Sequence, residues 1–278
     1  MNARENYMQD RKNFDVLMAV YIGDKIETFQ NAVESVLKNT IKPNNFIIVA
    51  DGPLEPAIDD YLQVIEYEYT HVRLYRLQHN VGLAEALNFG LNKCQSELVF
   101  RADADDVNLP NRFDLQLREF QEKKCDILGG QILEIDPLTG DQRLKRVPES
   151  VQSIRSYARF RNPVNHMSVL FKKSKIIELG GYPLIPLKED YALWLKAMSN
   201  DLILMNSNQI YVKARAGSSM LKRRRNSKSI YSEFTLFRFR TKELGNPIVM
   251  SALSFCIRTL ILILPLSLVK KIYYILRA

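Results

Sequence analysis

Phe100-Arg101-Ala102-Asp103-Ala104-Asp105-Asp106 follows directly on Glu97-Leu98-Val99. The run from Glu97 to Phe100 predicts a short buried strand, and it ends in three carboxylates within four residues. Asn108, Pro110 and Asn111 break the chain just beyond. Asp103 and Asp105 are two residues apart, so on extended backbone their side chains leave the same face. Carboxylates that converge at a strand end repel one another unless a cation lies between them. Oxygen-only ligands suit Mg²⁺ or Mn²⁺ better than zinc. An ion held by so few protein oxygens keeps positions open for a diphosphate. A solvated Asp-rich turn that caps the next helix is the competing reading. Asp106 is open to two roles, a third ligand or a helix cap.

Upstream, strands and helices alternate at short spacing. Phe14 to Val20 predicts a strand, and Tyr21-Ile22-Gly23-Asp24 a loop. Lys25 to Asn39 carries a helical stripe through Ile26, Phe29, Val33, Val36 and Leu37. Phe46 to Ala50 predicts a second strand ending in Asp51-Gly52-Pro53, and Ile58, Leu62 and Ile65 mark a second helix. Val72 to Leu77 is a third strand, Asn80-Val81-Gly82 a turn, and Leu83 to Leu91 a third helix. This order predicts an α/β fold with a mainly parallel, doubly wound sheet. In such sheets ligands bind beyond the carboxyl ends of the strands. Tyr21, Asp51 and the Asp103 to Asp106 cluster all lie at such ends. The chain lacks G-x-G-x-x-G after its first strand and G-x-x-x-x-G-K-[ST] throughout, which argues against a Rossmann dinucleotide site or a P-loop.

Downstream, Phe113, Leu117 and Phe120 mark a helix, and Cys125 to Ile135 predicts a strand with a hairpin return at Arg143 to Val147. Ser150 to Phe160 predicts a helix and Met167 to Phe171 a short strand. Lys188-Glu189-Asp190 precedes a helix over Tyr191 to Met198, and Leu202 to Val212 is a last strand.

At 278 residues the chain is long enough for one large domain with an appendage. Its net charge is +8, and Lys222 to Arg277 carries most of the excess. That asymmetry points to an acidic partner for the C-terminal third: nucleic acid, phosphate or an anionic membrane. The three cysteines are far apart and odd in number, which gives no metal spacing or disulfide framework and suggests a reducing compartment. Met1 to Asn13 is polar, without the apolar core of a signal peptide. The expected location is cytoplasmic.

The ordered motifs from Phe14 to Val212 resemble the family-2 glycosyltransferases of the GT-A fold. Ile47-Ile48-Val49-Ala50-Asp51-Gly52 is similar to that family's strand ending in Asp-Asp-Gly, with Ala50 in place of the first aspartate. The segment from Asn80 to Gly90 is similar to its Asn-x-Gly…Asn-x-Gly stretch, Asp103-Ala104-Asp105 to its metal-binding Asp-x-Asp, and Glu189-Asp190 to its Glu-Asp pair. Gln-x-x-Arg-Trp of the processive members is missing, which favours addition of a single sugar. The resemblance implies an inverting transfer from a nucleotide-sugar, with uridine as the expected base, to a lipid-linked polyprenyl-diphosphate saccharide in surface-polysaccharide or O-antigen synthesis. It implies Mn²⁺ or Mg²⁺ at Asp103 and Asp105, and Asp190 as the base that deprotonates the acceptor hydroxyl, with Glu189 orienting the acceptor. It makes Asp51 a uracil contact and Tyr21 a flank of the base, with Asn80 and Gly82 on the donor side; a plain Asp-Gly-Pro turn and an ordinary strand-end tyrosine are the competing readings of the first two.

Four further residues carry two readings each. His166 is near acceptor or donor phosphates, or is a structural turn histidine. Arg112 pairs with Asp105 or Asp106, or meets substrate. Arg215 and Arg223 lie in a basic loop that either closes over the diphosphate or is a solvated face.

The expected organisation is a polar extension at 1–13, a catalytic domain at 14–228 (a nucleotide half at 14–110 and an acceptor half at 111–228) and a C-terminal helical region at 229–278. In that region Ser251, Ser254 and Arg258 form a narrow polar stripe, and Thr259 to Val269 is nearly all apolar. Only eleven residues separate Arg258 from Lys270, against ~20 for a membrane span. Helices lying in the membrane interface fit better, with Lys270, Lys271 and Arg277 facing anionic headgroups. Packing on the core and a re-entrant hairpin around Pro265 are the alternatives. The protein is thus expected peripheral to the cytoplasmic face of the inner membrane. A nucleotidyltransferase using the same carboxylates and a non-catalytic basic binding protein are the competing functions. No nucleic-acid partner is expected, because acidic strand ends repel phosphate unless a metal is bound.

Overall fold

The computed structural model describes residues 13–216, 226–264 and 268–269. The first half follows the predicted alternation: β1 (Phe14–Val20), α1 (Ile26–Leu37), β2 (Asn45–Ala50), α2 (Pro56–Glu68), β3 (Val72–Arg76), α3 (Leu83–Lys93) and β4 (Leu98–Arg101). Then come β5 (Val107–Asn108), α4 (Arg112–Lys123), β6 (Ile127–Ile135), β7 (Gln142–Lys145), α5 (Val151–Tyr157), β8 (Leu170–Lys172), α6 (Lys173–Glu178), α7 (Glu189–Ser199) and β9 (Leu204–Arg215). α8 (Ser227–Arg238), a π-helical turn (Phe239–Glu243) and α9 (Ile248–Ile263) follow.

The strands form one sheet in the order β3-β2-β1-β4-β8-β6-β9-β5, with β7 paired to β6. Pairing is parallel from β3 through β4 and between β6 and β9. The short β8 enters antiparallel to both β4 and β6, so the sheet is mixed beyond β4. Two features carried no periodic signal: β5 is only two residues long, and α6 is a six-residue turn of helix. His166–Ser168 forms a 3-10 turn, which shortens the strand expected at Met167 to Phe171.

Both faces of the central strands are covered, as a parallel sheet requires. Alternation in β1 sends Val16 and Met18 into the layer of Phe29, Ile58, Leu62 and Phe113. It sends Leu17 to the opposite layer with Ala86, Leu87, Leu91 and Trp194. Gly90 lets α3 approach this second face. A Cβ there would lie 2.4 Å from Leu17 Cδ1 and 2.8 Å from Val49 Cγ2, so the second Asn-x-Gly is a packing requirement.

At the amino ends of the strands the fully buried Asp15 accepts hydrogen bonds from Asn45 N, Gln95 N and Ser96 N at 3.0, 2.6 and 2.9 Å, and from the Asn45 and Ser96 side chains. Its charge is satisfied by protein donors alone. The carboxylates at the other end of the sheet are arranged differently.

Candidate active site

β4 delivers Asp103, Asp105 and Asp106 to its carboxyl end, and one carboxylate oxygen from each lies within 4.8 Å of the others. Asp106 is buried, and its Oδ1 accepts a hydrogen bond from Arg215 N at 2.9 Å. Burial first, then the charges of Asp103 and Asp105, pushes the Asp106 carboxyl well above the usual carboxylate range. Asp24, in the loop after β1, is a fourth acid beside this group. Burial raises it to about 6 against the opposing hydrogen bond from Tyr21 N, and Asp105 and Asp103 add to the rise. Mutual repulsion among carboxylates, with oxygen as the only donor type, fits a hard divalent cation. Asp103 and Asp105 are the residues that would hold it, with Asp106 beside them.

Arg101 supplies the counter-charge. It is 1% exposed and pairs through Nη2 with Asp103, while its Nε meets no hydrogen-bond partner among the described residues. The sequence reading missed both Arg101 and Asp24. Arg101 precedes Asp103 by two residues, the spacing that places side chains on one face of extended chain. Asp24 gave no comparable signal.

The second strand end is built as a clasp. Asp51 Oδ1 accepts from Val81 N at 2.7 Å, and Oδ2 accepts from Gly82 N at 3.0 Å and Asn80 Nδ2 at 3.1 Å. Gly52 has a φ of 85°, and a Cβ there would lie 2.5 Å from Asn80 N. Only glycine meets both demands. Asp51, Asn80 and Gly82 are therefore one unit, which holds the turn before α3 against the end of β2. Tyr21, after the end of β1, is exposed, its ring folded over Gly23.

On the far side, Glu189 and Asp190 open α7. Asp190 Oδ2 accepts from Asn162 Nδ2 and Oδ1 from Tyr191 N, both at 2.6 Å. Burial, and then the charge of Asp190, raises Glu189 to about 7. The charge of Asp103 also acts on Glu189, and the charges of Asp190 and Asp103 both act on His166, so the two acidic groups lie near one another. His166 lies in the wall. Its Nε2 is 3.1 Å from Tyr182 Oη, and its ring packs on Tyr182 and Trp194. Burial, and then Arg101, lowers it to about 4, so it is neutral at physiological pH. Asn88 clamps the adjacent backbone, donating to Tyr182 O at 2.9 Å and accepting from Tyr182 N at 2.7 Å.

Arg112 corrects an expectation. It is fully buried and lowered by burial to about 9. Nε donates to Gln116 Oε1 at 3.1 Å, Nη1 to Asn108 Oδ1, and Nη2 to Arg101 O at 3.0 Å and Val169 O at 3.2 Å. Its guanidinium ties α4 to β4 and to the residue before β8, a structural task in place of an acceptor or phosphate contact. Arg215 ends β9, and its backbone N–H on Asp106 starts the basic loop beside the acidic group. Arg223 lies outside the described residues.

The profile described as "Glycosyl transferase family 2" matches residues 15–176, more than half of the chain. The chain belongs to that family. The transferase is 34% identical over 264 residues to the amylovoran biosynthesis glycosyltransferase AmsE of Erwinia amylovora, covering 94% of this chain and 97% of that one. It is 40% identical over 227 residues to the Escherichia coli UDP-Gal:alpha-D-GlcNAc-diphosphoundecaprenol beta-1,3-galactosyltransferase, covering 81% and 82%. Among solved structures, S. aureus TarS 1-349 in complex with UDP-GlcNAc superposes with a TM-score of 0.63 at 15% identity, over 87% of this chain and 70% of that one. The transferase spans 41% of the longer TarS chain. These likenesses agree with the GT-A fold expected from the motifs, here with a mixed sheet.

Proposed function

We propose that the transferase moves one sugar from a UDP-sugar to a polyprenyl-diphosphate-linked saccharide, with inversion at the anomeric carbon. The observation that carries this is the nearness of two acidic groups. Asp103, Asp105 and Asp106 stand at the end of β4, and the Glu189–Asp190 pair at the start of α7. The donor and acceptor in the name of the E. coli relative, UDP-Gal and GlcNAc-diphosphoundecaprenol, support the substrate classes.

The Asp51–Asn80–Gly82 clasp and Tyr21 form the nucleoside side. When bound, Mn²⁺ or Mg²⁺ at Asp103 and Asp105 neutralises charge on the diphosphate. Asp190, held by Asn162 and Tyr191 N, takes the proton of the acceptor hydroxyl as its oxygen attacks the anomeric carbon. The bond from that carbon to the diphosphate breaks, and its electron pair leaves with UDP. Neutral His166 and Tyr182 shape the wall between the two groups. In this reading 14–228 is the catalytic unit and 229–278 an appendage.

A screen of UDP-sugars against a synthetic lipid-diphosphate-GlcNAc acceptor tests the assignment. The expected product is heavier by one sugar residue, with one UDP released per transfer. Release of inorganic diphosphate, or no transfer from any UDP-sugar, overturns it.

The appendage supports docking on a lipid surface. No helix among the described residues is long and apolar enough to cross a membrane. α9 turns Ser251 and Ser254 inward, whereas Val249, Leu253, Ile257, Leu260 and Ile263 are exposed along its other side, with Tyr231 and Phe234 exposed on α8. An apolar strip on an otherwise packed helix pair suits shallow insertion into an interface. Lys270, Lys271 and Arg277 lie outside the described residues. Leu253→Glu with Leu260→Glu should abolish sedimentation with anionic vesicles and leave the melting temperature within a few degrees. Raised salt should weaken wild-type binding without abolishing it, since ions screen only the charged share. Unchanged sedimentation of the double variant would rule this surface out.

A further inference from the structure

We propose that Arg258 and Glu233, on the two C-terminal helices, are positioning residues for Asp190. The proposal rests on the reading of Asp190 as the base. Glu233 is 3% exposed and meets two cations. Its Oε1 accepts from Lys188 Nζ at 2.8 Å and from Arg258 Nη2 at 2.9 Å, and its Oε2 accepts from Arg258 Nε at 2.7 Å. Lys188 immediately precedes Glu189 and Asp190. One buried carboxylate from α8 therefore ties α9 to Lys188, the residue just before α7.

Arg258 also reaches the other support of the base. Its Nη1 donates to Phe160 O at 3.1 Å, and its guanidinium lies 4.8 Å from the centre of the Tyr191 ring. Tyr191 Oη donates to Ala158 O at 2.7 Å, and Arg240 Nη1 donates to Arg159 O at 2.9 Å. Three successive carbonyls, 158 to 160, are thus held by α7 and the C-terminal helical region. Asn162, two residues further on, donates to Asp190 Oδ2, while Tyr191 N donates to Oδ1. Each of the two donors that orient the Asp190 carboxylate belongs to a segment that Arg258 grips.

A buried ion pair is a poor choice for docking a helix, because apolar residues of similar volume often do as well or better. A bidentate guanidinium fixes direction as well as distance. Burial alone would raise Glu233, yet Arg258 and Lys188 hold it below the usual carboxylate range, so the cluster is charged in the folded protein. The helix that carries the exposed apolar strip also holds the frame around Asp190.

The test compares Arg258→Met, Arg258→Lys and Glu233→Gln in the full chain, alone and combined with Asp190→Asn. Turnover, acceptor KM, donor affinity and melting are measured for each. Arg258→Met should lower kcat about 10- to 100-fold, the scale of a reacting group displaced by up to an ångström. Donor affinity should stay within about twofold, since the donor contacts lie on other elements. Arg258→Lys should recover part of the loss, and Glu233→Gln should resemble Arg258→Met. In the Asp190→Asn background Arg258→Met should add little, because groups that act as one unit are not additive. If Arg258→Met unfolds, Glu233→Gln and Arg258→Lys carry the same comparison. A loss that repeats in full in the Asp190→Asn background, or wild-type kcat in the folded variants, overturns the positioning role and leaves the base assignment standing. Wild-type turnover of Asp190→Asn overturns the base assignment, and the proposal with it.

Discussion

Asp105→Asn should abolish sugar transfer while the fold persists. The substitution keeps the side chain's shape and removes one negative charge from a group whose carboxylates lie within 4.8 Å of one another. Cations held by carboxylates are retained by charge as well as geometry, so an amide at this position binds a divalent ion poorly. Removing a preorganised group that meets charge developing in the transition state costs about 10²–10³-fold. Loss of the ion removes more than one such contact, so the expected activity falls below that range. Full activity in the presence of EDTA, or in Asp105→Asn, would end the metal assignment.

The same acidic group makes a pH-dependent prediction for protein kept free of metal. Asp24 is raised to about 6 and Asp106 is raised well above its ordinary value, while unfolded aspartates titrate near 3.9. The folded protein therefore holds protons that the unfolded chain has released. Stability from these groups is present at low pH and is lost as pH rises from about 4 through about 6 and beyond. Melting in EDTA should accordingly drop across that window. Mn²⁺ with UDP should restore it, because a ligand that binds only the folded state stabilises it. In Asp105→Asn the drop should be shallower, since one source of repulsion is gone. A melting temperature flat with pH in EDTA would contradict this account.

Asp190→Asn should lower turnover by about 10²–10⁴-fold, the usual contribution of a general base. Donor affinity should be nearly unchanged, because the donor-side residues sit just beyond β1, β2 and β4 and in the turn before α3. An amide retains one oxygen for Tyr191 N but presents its NH₂ towards Asn162 Nδ2, which now donates to Asp190. Asn162 must then turn or shift, and a small change in melting is expected as well. In the wild type burial, then Asp190, raises Glu189 to about 7, which leaves it partly protonated at neutral pH and makes it the weaker base there, and Asp190→Asn removes the second of those causes. Glu189→Gln should therefore be milder than Asp190→Asn. If Asp190→Asn instead loses donor binding, the residue serves the nucleotide site, and if turnover survives, Glu189 is the base.

The strand ends were legible in the sequence because their signals are local. Short apolar runs such as Phe46 to Ala50 and Leu98 to Phe100, bounded by turn residues, read as buried strands, and the helices between them show 3.6-residue stripes. Parallel strands joined by helices place their carboxyl ends on one edge, so Tyr21, Asp51 and Asp103 to Asp106 had to gather there. Glu189 and Asp190 were found by resemblance to a family pattern, since nothing near them in the chain says what they face.

Tertiary structure decided what depends on partners remote in sequence. Arg112 reads in the sequence as a partner of Asp105 or Asp106 or as a substrate contact, but Asn108, Gln116, Arg101 O and Val169 O surround its guanidinium. Asp15 and Asp106 are both buried aspartates. Only contacts distinguish the one satisfied by protein donors from the one facing other carboxylates. The stripe Ser251, Ser254 and Arg258 was visible at helical spacing, yet periodicity shows that a helix has two faces and not which one meets the core. Glu233, 25 residues from Arg258, settles it. A buried charge needs a partner, and the fold determines which residue supplies it.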